Sequence, residues 1–399
     1  MRGMRRANLI LLESPAFSDL LELLSHPLVT LAIAWIAAYL VLRFLVRWSP
    51  RGVKLYPLGF IVRSERALGI LDRFSSKAPR LLRILSDVGI VLGFVMMGAA
   101  IYLLSRNLTT YLFAPSQVGP QNIVLPLVIG VTIRLEHLPY LLLALGIILV
   151  THEGMHGLIA RVEGLRLKST GLFLFYVFPG GFVEPDEEEF KNAPVRVRAR
   201  VAAGGSLANL IVGLIALLIV FVAFIPVEAG VIVAGVEEGA KLSVNDVIYS
   251  VSGVTVNSTS LYWNITASET IVIESSKGRL VYGLREPINM PIGQVLRSLG
   301  VTHVAFYYPM RVGLGDPMLE HGLYRLLLWI QLLGINVAIF NMLPISFLDG
   351  GLLITSLLER LTKSERAIRG VSTALTIFSL GLIALNIGFT FKTFGLVQI

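Results

Sequence analysis

Cysteine is absent from all 399 residues, so disulfides and thiolate metal sites are excluded, and the redox compartment leaves no trace. Charge is scarce: Asp, Glu, Lys and Arg make up 15% of the chain against 55% hydrophobic residues, with a mean hydropathy of +0.75. A soluble domain needs far more polar surface, so the class is polytopic membrane protein. Glutamine occurs only five times, which together with the missing cysteine is a composition shared with thermophile proteins. The opening segment "MRGMRRANLILLESPAF" has basic residues but only a four-residue apolar stretch, too short for a signal peptide. The first span is therefore expected to direct insertion.

Six apolar stretches approach the roughly 20 residues needed to cross a hydrocarbon core. They lie near 28–47, 88–104, 138–160, 202–225, 326–348 and 370–391, while the twelve apolar residues 122–133 read as a β-rich or interfacial segment. On this count the segments 43–87, 161–200 and 358–369 share one side and hold 21 Lys/Arg in 97 residues. The other side, 1–27, 105–138 and 226–323, holds 11 in 159. The basic excess marks the first set as cytoplasmic. The net charge of +8 is thus accounted for by topology, and nucleic acid is not an expected partner. Three sequons, beginning at Asn107, Asn257 and Asn264, all fall on the expected outer side.

Away from the span ends, four ionisable residues remain within the spans: His152, Glu153, His156 and Asp349. Charge in lipid is costly, so such residues pair, bind an ion or line an aqueous cavity. "HEGMH" (152–156) is an H-E-x-x-H motif. On a helix its histidines face the same way, so two imidazoles can grip one metal while Glu153 reaches a water as general base. A hydrolytic zinc site needs a third protein ligand. Asp349, in "NMLPISFLDGG" (341–351), is expected at the cytoplasmic end of its inward-running span, the depth at which the His152–His156 span also ends. Two other readings stay open: histidines serving protons or metal in a transporter, and an inactive scaffold.

These residues resemble the site-2 protease family, zinc metalloproteases that cut within or beside the membrane, in an archaeal-type form. "HEGMH" matches the family's first motif, "NMLPISFLDGG" its N-x-x-P-x-x-x-x-D-G pattern, and "GSLAN" (205–209) its G-x-x-x-N. The resemblance covers roughly 138–351. It implies one Zn²⁺ per chain, with His152, His156 and Asp349 as ligands and Glu153 as general base. Gly205 would permit close helix approach, and Asn209 and Asn341 would line or brace the site. In the family, the stretch matching "LKSTGLFLFYVFPGGFVEP" (167–185) is a re-entrant β-hairpin, so Gly180, Gly181 and Phe182 become candidate substrate-binding or bracing residues. The edge of such a hairpin suits an extended substrate, because strand addition supplies the hydrogen bonds that an unwound peptide lacks.

Residues 228–313 show short β-like runs such as "GVIVAGV" and "TIVIES". Their pattern, including Val236, Gly239, Asp246 and Gly253, is PDZ-like, with Asn245 where a glycine commonly stands. The expected organisation is an N-terminal region with two spans and a basic loop (1–137), a first catalytic part (138–227) and an extracytoplasmic PDZ-like domain (228–323). A second catalytic part (324–357) and a cytoplasmic loop with a final span (358–399) complete it. The fold class is therefore a polytopic α-helical membrane protein with about six spans, a re-entrant hairpin and an inserted β-rich domain. The expected protein sits in the cell membrane, its active site near the cytoplasmic face. It would cleave a single-pass membrane protein already trimmed on its outer side, an event of regulated intramembrane proteolysis.

Overall fold

The computed structural model describes residues 27–126, 132–176 and 178–396, apart from Ser49 and Arg51. The part of 122–133 at 127–131 lies outside the described residues. The chain forms two compact units, one made of the described residues of Met1–Ile211 with Leu333–Ile399, the other of Val212–Leu332.

Five described helices are long and apolar enough to cross a membrane: α3 (Pro79–Phe113), α4 (Leu138–Val162), α6 (Val195–Ala223), α8 (Pro317–Asn341) and α10 (Glu365–Phe394). The first expected span is shorter. Helix α1 (Pro27–Leu40) runs on through a π-helical turn, Val41–Leu45, and the apolar stretch Val29–Leu45 falls below this length. In α3 the buried residues Gly89, Gly93, Met96, Met97, Ala100 and Leu104 recur at three- and four-residue steps, whereas Val88, Val91 and Val95 face outward. Small residues let helices approach where apolar burial gives no driving force, and the apolar outer face suits lipid.

Ahead of the short helix α5 (Glu187–Asn192), the expected hairpin is present as β3 (Leu167–Phe175) paired antiparallel with β4 (Phe178–Pro185). It does not stand alone. The basic segment after α1, read from sequence only as a loop, contains β1 (Val53–Tyr56) and β2 (Gly59–Arg63), and the four strands form one sheet in chain order. β2 pairs with β3 from Gly59 opposite Phe175 to Arg63 opposite Gly171. Helix α2 (Arg66–Lys77) follows and packs on α4. The indole N–H of Trp35 in α1 donates to the carbonyl of Tyr176 at the β3–β4 turn (3.1 Å), tying α1 to the sheet tip.

Asp349 does not close a span, as expected from sequence; it opens a helix of its own, α9 (Asp349–Leu361). α8 stops at Asn341 because Pro344 can donate no backbone hydrogen bond and disfavours helix in the residue before it. Tight turns, including Ile345 N–H to Leu343 O at 2.7 Å, then fold the chain back. A side chain at Gly350 would fall on the carbonyls of Met342 and Leu343, so this fold-back needs glycine there.

The second unit contains a β-rich core. Its main sheet runs β10 (Gly278–Gly283), β9 (Thr270–Ser275), β6 (Val247–Val251), β5 (Val231–Val236), β12 (Val301–Phe306), with β7 (Val254–Thr255) on β6. β8 (Asn264–Ala267) pairs with β11 (Ile288–Pro291), and the short helix α7 (Ile292–Ser298) precedes β12. Val231, Val233, Ile248, Ile273, Ile292 and Val295 are fully buried at its centre. Asn245 has φ +75°, the left-handed region that glycine fills most easily and asparagine tolerates, so the departure from glycine at this position keeps the turn.

Candidate metal centre

His152 and His156 lie one turn apart on α4, their rings nearly perpendicular with centroids 4.7 Å apart. Their Nε2 atoms are 3.1 Å from each other. Asp349 faces both: Oδ2 is 3.4 Å from His152 Nε2 and Oδ1 is 3.4 Å from His156 Nε2. One ligand atom from each of the three residues falls within 4.8 Å of the others.

The far ring nitrogens are held too. His156 Nδ1 is 2.7 Å from the Val201 carbonyl, which can only accept, so Nδ1 carries the proton and Nε2 presents its lone pair. The Asn209 Nδ2 lies 3.0 Å from His152 Nδ1, while its buried Oδ1 has no hydrogen-bond partner among the described residues. Exchanging the two amide atoms gives Oδ1 that partner and gives His152 the same tautomer as His156. Ser206, fully buried, donates its hydroxyl to Asp349 Oδ2 at 3.1 Å. Two imidazole nitrogens and a carboxylate, each oriented by a further hydrogen bond, form a donor set that fits zinc.

Helix α6 supplies the close wall of this centre. A side chain at Gly205 would lie 2.6 Å from His152 Cε1 and also on His156 Nε2. Its basic first turns are anchored by ion pairs: Arg200 to Asp87 (2.7 Å) and Glu163 (2.8 Å), Arg196 to Asp87 (2.8 Å), and Arg198 to Glu359. Those bonds connect α6 with α3, α4 and α9 around the three donors.

Glu153 turns toward the sheet. Its Oε2 accepts the N–H of Val183 on β4 (3.1 Å), and a side chain at Gly181 would come within 2.9 Å of its Cγ. Among the described strands β4 is an edge strand, bonded to β3 alone, and the Val183 bond puts its other edge on the Glu153 side of α4. The remaining residues singled out from sequence are placed less directly. Gly180 leaves room for the Phe173 ring, and the Phe182 ring packs over Gly171 beneath the Arg63 guanidinium (5.7 Å). Asn341 closes α8, half-buried, outside the hydrogen bonds and ion pairs that join the three donors. Ser206 escaped the sequence reading because serine inside "GSLAN" looks like helix-packing filler. The Val201 carbonyl left no signal at all.

An apolar multi-helix chain that gathers two imidazoles, a carboxylate and a neighbouring glutamate has the makings of a membrane metallopeptidase. The model of peptidase family M50 matches residues 140–385, and the chain belongs to this family, the site-2 protease family of zinc metalloproteases. The chain is also similar to an uncharacterized protein of Methanocaldococcus jannaschii, 36% identical over 119 residues, or 29% of this chain. The chain spans about a third of that relative's length (32%).

Proposed function

We propose that the protein is a zinc-dependent endopeptidase that hydrolyses a peptide bond in or beside the transmembrane segment of a single-pass membrane protein. The observation that carries this reading is the convergence of His152, His156 and Asp349 beside a glutamate already bonded to the edge of a β-strand. The three donors would hold one zinc ion, which when bound supplies a Lewis acid for the scissile carbonyl and for the attacking water. Glu153 takes the proton from that water and passes it to the departing amine. Ser206, Asn209 and the Val201 carbonyl orient the three donors.

The edge of β4 left unpaired by β3 receives the substrate, which takes over the Val183 N–H from Glu153. A helical segment has no spare backbone groups, so it must unwind before hydrolysis, and pairing with β4 replaces the hydrogen bonds lost. Gly181 keeps that edge low beside Glu153. The basic excess on 43–87, 161–200 and 358–369 favours a cytoplasmic location for the sheet and metal centre, and an extracytoplasmic one for the β-rich unit. In that unit the exposed edge of β12, beside α7, is a second place for an extended chain end, suited to substrates trimmed on their outer side.

Zinc per chain in purified protein, compared between wild type, His156→Ala and Asp349→Ala, tests the reading. About one zinc in wild type, lost or sharply weakened in both variants, is expected. Glu153→Gln should keep the metal and lose cleavage. An Asp349→Ala protein that binds zinc as well as wild type would overturn the three-donor centre.

A further inference from the structure

Residues 150, 153 and 154 share a face of α4 next to the face carrying His152 and His156, with Glu153 at the boundary. Over that face lies a cavity of about 350 Å³. Its walls come from three parts of the chain: Val150, Glu153 and Gly154 on α4, Leu172 on β3, and Val62 and Ile70 from β2 and α2. Apart from Glu153, only Ser64 and Thr170 bring polar side chains, and the Thr170 hydroxyl is committed to the Phe182 carbonyl. Val62, Ile70, Val150 and Leu172 are 37%, 58%, 58% and 50% exposed, so the rim is apolar and open. One ionisable group, the candidate general base, thus borders an otherwise greasy chamber.

Gly154 explains why the chamber is empty. Glycine within a helix is unfavourable relative to alanine. At Gly205 the neighbouring rings demand it; at Gly154 a side chain would meet no atom within 4 Å. Its backbone is helical and no neighbour needs the space, so what the glycine provides is volume next to Glu153.

We infer that this cavity is a side-chain subsite, which takes one bulky aliphatic or aromatic residue of the substrate at a fixed distance from the scissile bond. This rests on the peptidase reading above. An extended chain added to the β4 edge projects alternate side chains to opposite faces of the sheet, and the face toward α4 leads into the cavity. Continuity with Glu153 argues for a substrate side chain as occupant, since whatever fills the chamber lies against the group that handles the reacting water. Val62 and Ile70 lie outside the family-matched residues 140–385, so the N-terminal strands and α2 become part of the specificity apparatus.

The test uses the full chain and a single-pass test protein whose alanine-rich segment carries one leucine or phenylalanine moved through successive positions. Mass spectrometry reads the cut site. Wild type should cut at a constant offset from the bulky residue, about tenfold or more faster than in the all-alanine segment, as apolar pockets discriminate. Gly154→Leu should fill the chamber, erase that preference and keep the zinc content of wild type. Because the chain has no cysteine, an Ile70→Cys substitution combined with Glu153→Gln should, on addition of a copper–phenanthroline oxidant that takes up the two electrons, form a disulfide with a single substrate cysteine at the same offset. If Gly154→Leu keeps zinc and retains the wild-type preference, the subsite is overturned. It is equally overturned if native mass spectrometry finds a lipid acyl chain lost in Gly154→Leu while the cut sites stay the same. Wild type without zinc and without cleavage would instead bring down the peptidase reading, and the subsite with it.

Discussion

Glycine 205 bears more on the candidate centre than its lack of a side chain suggests. Both imidazoles occupy the space a β-carbon would take, so Gly205→Ala must push α6 from α4 or turn the rings away from Asp349. Zinc affinity should fall by about tenfold or more, comparable to the 10–100-fold loss on removing a ligand's orienting partner. Competition against a fluorescent chelator checks this, with Gly154→Ala on the neighbouring helix as the control expected to keep wild-type affinity. The motif spacing of His152 and His156 is legible in the sequence because helical periodicity is a local rule. Ser206 and the Val201 carbonyl are not, because their roles arise only where α6 meets residues from α4 and α9.

At the level of elements, the least expected finding is the sheet. The hairpin at 167–185 was expected from the family resemblance, but its partner strands lie outside the resemblance, in a stretch marked by its ten Lys/Arg. Strands of four and five residues carry too few alternations to stand out against that charge. Gly59 holds the two hairpins together: a side chain there would lie 2.9 Å from Phe175 Cα and on the Leu174 carbonyl. Gly59→Val should therefore part β2 from β3. The three donors sit on helices, so zinc content is expected to stay near one per chain while cleavage drops and the 167–185 segment becomes sensitive to added protease. Equal loss of zinc and cleavage would make the sheet a general scaffold and not a substrate platform. The break between α8 and α9 is similarly half-legible. Pro344 announces that a helix ends; that the chain then folds back to start a new helix at Asp349 depends on carbonyls packed against Gly350.

For the whole molecule, the two units should answer to different conditions. The candidate metal centre joins α4 and α9, so zinc would bind the folded first unit only. Its removal by EDTA should lower the thermal midpoint, a loss of about 2.7 kcal/mol if free zinc had stood at 100 times Kd. His156→Ala should be indifferent to the chelator. The β-rich unit should answer to acid. Burial pushes the Glu228 carboxyl up, but hydrogen bonds from the Ser258 N–H (2.6 Å) and the Tyr308 hydroxyl (2.9 Å) more than offset this and hold it below its ordinary value of 4.5. A lowered carboxylate contributes stability that is complete above the ordinary value and is lost as pH falls through the folded one. The β-rich unit should thus weaken below about pH 4.5, and Glu228→Gln should flatten that dependence. Circular dichroism melts at stepped pH, with and without EDTA, read both effects.

The sequence by itself determined the membrane class, the positions of five long apolar helices, the helical pair of histidines with its glutamate, and the acidic donor that a third ligand would require. Each is a local property: hydropathy summed along a window, a four-residue spacing, a single ionisable group where lipid makes charge costly. Only the tertiary structure decided that Asp349 reaches both imidazoles, that Ser206 holds its carboxylate, that Glu153 bonds to a strand edge, and that the N-terminal strands complete the sheet. The basic residues show the division most clearly. Counted in sequence, Arg196, Arg198 and Arg200 speak for topology; folded, they clamp α6 against α3, α4 and α9. Hydropathy is additive along a chain, whereas a coordination site depends on which backbones can approach. Here that approach is permitted by single missing side chains at Gly205 and Gly350, which composition cannot distinguish from any other glycine.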